Sequence, residues 1–169
     1  MTEALPSTRS SAGRDNDARS ERAHAQIEPG SPSRRNTIWL VPTRLIPAVW
    51  DEAAVLLAPA IEMAAGRHSL SSTLDQLRSG HMQLFFAVKD DVPVAAAVTQ
   101  VLEYPAASWL VVLFCGGKGL PDWGKNGIAA IEDWARRCGC GGVEIIGRAG
   151  WAVALGYEKS ASIIQKVLA

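Results

Sequence analysis

The sequence predicts an α/β protein, in the α+β sense: one domain built on a mixed, mostly antiparallel sheet with helices on both faces, behind a disordered N-terminal tail. Three observations predict it. The composition changes abruptly at Thr37. Beyond that point, apolar residues recur first at helical and then at strand spacing. A pair of hairpin strands then precedes a strand–helix–strand crossover, which calls for a mixed sheet covered on both sides.

Residues 1–36 are rich in Ser, Arg, Asp and Pro and nearly free of large apolar side chains. Such a segment buries too little surface to offset its ordering entropy, so a solvated tail is expected there and a folded domain over 37–169. The stretch Arg14 to Gln26 mixes both charge signs and is the part of the tail suited to a partner-induced helix.

Thr37-Ile38-Trp39-Leu40-Val41 is β-branched, aromatic and apolar, a first strand stopped by Pro42. From Ile46 to Ala65, Val49, Ala53, Leu56, Leu57, Ala60, Ile61 and Ala64 recur at helical spacing, with Pro59 expected to kink or divide the run. Ser69 to Ser79 reads as a second helix, capped by Ser71 or Ser72, with Leu74 and Leu77 inward. Met82 to Val88 and Val92 to Leu102 are strands joined by the polar turn Lys89-Asp90-Asp91. Ser108 to Cys115 is continuously apolar, as a strand buried on both faces should be. The glycine-rich loop Gly116-Gly117-Lys118-Gly119 follows, and then a helix from about Asn126 to Arg137 with Ile128, Ile131, Trp134 and Ala135 inward. Val143 to Ile146 is a short strand, Gly150 to Leu155 a short helix, and Ser160 to Leu168 a closing strand.

The bulk numbers narrow the function classes. Lys+Arg and Asp+Glu each total 17, and this balance argues against general affinity for nucleic acid or an anionic membrane. No basic-then-apolar leader opens the chain, and no apolar run approaches the length of a membrane span, so a cytoplasmic protein is expected. The 3 cysteines, Cys115, Cys138 and Cys140, read as reduced thiols; Cys138-Gly139-Cys140 is too tightly spaced for a zinc knuckle, and no metal is expected. No Ser-His-Asp order, no paired-histidine zinc motif and no Gly-Lys-Ser/Thr phosphate loop occurs. His68 and His81 read as surface residues.

The element order resembles the GNAT (N-acetyltransferase) superfamily over Thr37 to Ala169. Three features carry the likeness: the buried strand Trp109 to Cys115 running through a glycine-rich loop into a helix; the strand Val143 to Ile146 after it; and a short helix leading into Gly156-Tyr157. More narrowly, Gly147-Arg148-Ala149-Gly150-Trp151, together with Ala135-Arg136-Arg137-Cys138-Gly139-Cys140, resembles divergent GNAT-like proteins of tailed phages and prophages.

The resemblance implies acetyl-CoA, or another acyl-CoA, as co-substrate and direct transfer to an amine on a small molecule or protein. A CoA pyrophosphate is held best by backbone N–H groups at a helix N-terminus. The implied cofactor contacts are Phe114, Cys115, Gly116, Gly117, Lys118 and Gly119, with Lys125 adding charge. Arg148 could hold a phosphate or a substrate carboxylate, or form a structural salt bridge. The family's loop spacing is not kept, since Pro121, Asp122 and Trp123 stand where the loop should wrap phosphate. The family's acid, a Tyr about five residues before the Gly-aromatic pair, falls on Ala152; Tyr157 or Tyr104 could replace it, or each could be a packing aromatic. Glu103, at a strand end, is the candidate base, or an exposed carboxylate without a role. The second reading is a GNAT-fold phage structural or host-interaction protein without catalysis, virion-associated, with the tail binding a virion or host protein.

Overall fold

The computed structural model describes residues 37–147 and 150–160. The expected tail, Arg148 and the closing strand beyond Ser160 lie outside the described residues. Five strands, β1 (Thr37–Leu40), β2 (Met82–Lys89), β3 (Val92–Glu103), β4 (Ser108–Gly117) and β5 (Gly142–Ile145), form one sheet in chain order. All pairings are antiparallel except β4–β5, which is parallel. The helices are α1 (Ile46–Glu62), α2 (Leu70–Arg78), α3 (Leu120–Arg137) and α4 (Gly150–Leu155).

The two faces of the sheet are covered separately. On one, Leu84, Phe86, Ala96 and Val98 pack against Ile46, Ala53, Leu57 and Ile61 of α1 and Leu77 of α2. On the other, Phe85, Ala97, Leu110 and Val112 pack against Ile131, Trp134 and Ala135 of α3. The alternation of Leu84, Phe85 and Phe86 between these clusters is the period-2 signature of a strand buried on both sides. Trp134 is 1% exposed and meets Phe85 edge-on with ring centroids 6.1 Å apart.

Local chemistry explains the joints. Asp90 and Asp91 take φ values of 51° and 63°, the left-handed pair that a two-residue hairpin requires and that Asp tolerates. Ser69, not Ser71 or Ser72, caps α2: its hydroxyl accepts from the Ser72 N–H at 3.1 Å, while the Ser72 hydroxyl accepts from the Ser69 N–H at 2.9 Å. Pro59 neither divides nor ends α1. It lies on the exposed side with Val55, which is 77% exposed, so solvent can take up the carbonyl that the proline leaves without an N–H.

Two expectations are corrected around β4. Gly116 and Gly117 belong to the strand, paired with Ala96 and Ala95, so the loop shrinks to Lys118-Gly119. α3 begins at Leu120 rather than Asn126, because Pro121 sits in the first turn, where its missing N–H has no intrahelical partner to lose. Among the described residues, no helix is long and apolar enough to cross a membrane.

Candidate functional site

The sheet opens where β5 stops. β4 and β5 run in register from Trp109–Gly142 to Val112–Ile145, and the Ile146 N–H still donates to the Val112 carbonyl at 3.0 Å. Beyond that, Leu113 to Gly117 have β3 on one side and, among the described residues, no strand on the other.

A β-bulge falls at the same level. Val98 pairs with Phe114 and Thr99 with Val112, so Leu113 is the extra residue. Its insertion breaks the alternation of β4: Leu110 and Val112 face α3, Leu113 and Phe114 both face α1, and Cys115 returns to the α3 side. The bulge thus aims two successive side chains at the opening and disturbs the β4 ladder there.

The opening is a cavity of about 530 Å³. One wall is α1 and the turn after it (Leu56, Pro59, Ala60, Met63, Ala64 and Arg67); the other is Val112 to Gly117, with Ile146, Gly147 and Trp151 across from it. Its length has a direction. Gly116 lies against the Leu56 backbone, whereas His68 stands edge-on to Phe114 with ring centroids 5.1 Å apart. One end therefore leads to the Lys118-Gly119 loop and the start of α3, and the other ends at Phe114, Arg67 and His68.

At the loop end, the backbone is partly committed. The Lys118 N–H donates to the Val94 carbonyl at 3.0 Å, and the Lys118 carbonyl accepts from Trp123 Nε1 at 2.8 Å. Asp122 in the first turn of α3 pairs loosely with Lys89, at 3.9 Å, and its N–H donates to the Gly119 carbonyl. Lys118 and Lys125 are exposed and available as counter-charge. The glycines answer a packing demand: a Cβ on Gly116 would overlap the Leu56 carbonyl, and one on Gly117, at φ 123°, would overlap Ala95. Gly119, at φ 72°, is the left-handed cap of α3.

The other sequence candidates fall as follows. Phe114, Cys115, Gly116 and Gly117 line the cavity. Burial pushes the Cys115 thiol up to about 12, so it stays protonated. Glu103 pairs with Ser108 at the far end of β3 and is exposed. Val112, the first cavity residue of β4, lies four residues beyond Ser108, about 13 Å at the rise of a strand, and this distance takes Glu103 out of reach of the cavity. Tyr157 donates its hydroxyl to Glu132 Oε1 of α3 at 2.8 Å and does not border the cavity. Burial first, and then that carboxylate, raise its pKa further above the ordinary phenol value, which weakens it as an acid. Arg148 is outside the described residues.

Sequence reasoning missed Arg67 and His68 and read both histidines as surface. His81 is indeed exposed and bonded to the Ser79 hydroxyl at 2.7 Å, but His68 packs on Phe114. The available signal was their position directly after the end of a long amphipathic helix, at Gly66. Among the described residues, no three His, Cys, Asp or Glu side chains gather where a metal ion could be held.

No family model and no curated sequence matches the chain. The fold does match solved acetyltransferases. An aminoglycoside N-acetyltransferase, AAC(6')-Iy, solved in complex with CoA, superposes with a TM-score of 0.59 at 16% identity, covering 84% of this chain and 99% of that one. An aminoglycoside acetyltransferase from an uncultured soil metagenomic sample, in complex with sisomicin, gives 0.56 at 15% identity over 79% and 96% of the two chains. A GNAT family acetyltransferase from Staphylococcus aureus gives 0.55 at 12% identity over 79% and 99%. The architecture is therefore the GNAT fold.

Proposed function

We propose that the protein is an N-acyltransferase that moves the acyl group of acetyl-CoA, or of another acyl-CoA, directly to an amine. The observation that carries this reading is the edge of β4 beyond Val112, which has no neighbouring strand among the described residues once β5 ends, with the Leu113 bulge beside it. Backbone groups on an unpaired strand edge need partners, and an extended ligand with amides in its chain can supply them as an added strand would. The pantetheine arm of CoA is such a ligand, and the apolar walls suit its methyl and methylene groups. Neighbours of the same fold solved with CoA and with an aminoglycoside support a thioester donor and an amine acceptor.

In this reading Lys118 and Lys125 neutralise the CoA phosphates at the loop end, with the Gly119 and Leu120 N–H groups at the start of α3. Arg148, in the segment just after the cavity residue Gly147, is a further phosphate contact. The amine nitrogen attacks the thioester carbon, the C–S bond breaks, and the thiolate leaves and takes up a proton equivalent to the one the amine loses. A backbone N–H of β4 at the bulge polarises the carbonyl. His68, beside Phe114, serves as the base in place of Glu103. No acid is needed for the leaving group, because a thiol ionises near pH 8.5.

The alternative, a GNAT-fold phage protein without catalysis whose N-terminal residues bind a virion or host protein, has one observation in its favour. Ala152 occupies the family's acid position, and Tyr157 is engaged by Glu132. Release of CoA thiol from acetyl-CoA, measured against a panel of primary amines, separates the two. Amine-dependent release supports the transferase, and none with any amine supports the alternative.

A further inference from the structure

We propose that Arg67 selects an acceptor amine that also carries an anionic group, a carboxylate or a phosphate, and disfavours polycationic amines. The inference rests on the transferase reading above and names the substrate class of the same cavity.

Among the described residues lining the cavity, Arg67 is the one that carries a formal charge, and none is acidic. A site meant for a polyamine needs carboxylates to offset the cost of desolvating several ammonium groups. This cavity presents the opposite sign.

Arg67 is also positioned. The turn after α1 holds two left-handed residues, Ala65 at φ 52° and Gly66 at φ 77°, which reverse the chain there. The Arg67 backbone N–H then donates to the Ala64 carbonyl at 3.1 Å, and its side-chain Nε donates to the same oxygen at 3.0 Å. With Nε anchored, the two Nη groups remain, and among the described residues Arg67 has no ion pair. A guanidinium held at one nitrogen loses less side-chain freedom when it grips an anion, and its planar fork fits carboxylate or phosphate oxygens.

Its place along the cavity separates this role from cofactor binding. The CoA phosphates belong at the loop end, by Gly117 and Lys118. Arg67 stands at the other end, with Phe114 and His68, where the acyl carbon and the incoming amine meet. An acceptor anchored there through its anion would present its amine beside His68.

The test uses the full chain and three ligands shaped like the acetylated products: N-acetyl-β-alanine, N-acetyl-2-aminoethyl phosphate and the neutral N-acetylethanolamine. Binding is read by NMR titration, which needs no turnover. At least one charged ligand should bind about tenfold or more tightly than the neutral one. In Arg67→Gln that advantage should fall below about twofold, with neutral-ligand binding unchanged; Arg67→Lys should keep part of it. A preference shared by both anions reports charge alone, whereas one restricted to carboxylate or to phosphate identifies the source. Equal binding of all three, no binding of any, or an advantage that survives Arg67→Gln overturns the proposal, as does faster acetylation of sisomicin than of β-alanine. Arg67 is exposed, so the variant should fold, and Arg67→Lys is the second variant; a flat wild-type ranking overturns the proposal without either. Anion selectivity without acetyl-CoA binding would refute the transferase reading and the acceptor role with it, while leaving Arg67 as an anion site. Acetyl-CoA turnover without anion selectivity would refute the inference alone.

Discussion

Gly116 of β4 and Leu56 of α1 meet backbone to backbone. The helix rides so close to the strand that a Cβ on Gly116 would overlap the Leu56 carbonyl oxygen. This contact fixes α1 against β4 at the loop end of the cavity and so sets the width of the cavity there. Gly117 does the same against β3, where a side chain would run into Ala95. Neither neighbour is a flexible side-chain tip that can swing aside.

Gly116→Ala should therefore destabilise the fold by about 1–3 kcal/mol or more. Gly119→Ala, where the nearest atom is the Asp122 carboxylate at 3.5 Å, should cost only the strain of its left-handed φ, about 1 kcal/mol. Denaturant unfolding of both variants checks the order. A harmless Gly116→Ala accompanied by weakened acetyl-CoA binding would return the residue to the role expected from sequence, close approach to pyrophosphate.

Trp134→Ala should cost roughly 3–5 kcal/mol, since the ring is 1% exposed and packed on Phe85. A near-neutral change in the urea midpoint would mean that α3 does not dock through this face.

The strands were legible as apolar runs such as Leu84 to Val88 set between polar turns, and the inward face of α3 because Ile131, Trp134 and Ala135 recur at three- and four-residue spacing. The β4 bulge was not, since Trp109 to Cys115 is apolar throughout and an extra apolar residue leaves no trace in such a run. Gly116, Gly117, Pro121 and Gly124 read as a loop because glycine and proline punctuate most chains. Here they are strand and helix residues chosen for close packing or for the first turn. The candidate site was half legible: the β4 lining from Phe114 to Gly117 followed from the family likeness. Arg67 and His68 did not, because their role depends on how the end of α1 folds over β4, a relation that sequence spacing does not carry.

The thiol of Cys115, half-buried where it lines the cavity, gives a pH signature. Its pKa rises from 9.0 to about 12 on folding, so between these values the unfolded chain holds fewer protons than the folded one. Stability should be independent of this group below pH 9 and fall as pH rises above it, by at most about 1.4 kcal/mol per pH unit. Tyr157 acts with the same sign, so the readout is the difference between wild type and Cys115→Ala from pH 8 to 11. Equal slopes in the two proteins would show a solvent-accessible thiol, as would fast alkylation by iodoacetamide at pH 7.

Tyr157→Phe should lower stability by about 1 kcal/mol through loss of the Glu132 hydrogen bond and leave kcat for amine acetylation within about twofold. A large fall in kcat at unchanged stability would instead make the phenol the acid that protonates the departing thiolate.

The most direct test of the transferase reading is calorimetric titration of the full chain with acetyl-CoA and with free CoA. One site of micromolar affinity for acetyl-CoA, with free CoA competing and affinity falling as salt screens Lys118 and Lys125, is the expected result. No heat of binding for either ligand at millimolar concentration would contradict it and leave the opening between β4 and β5 without a cofactor.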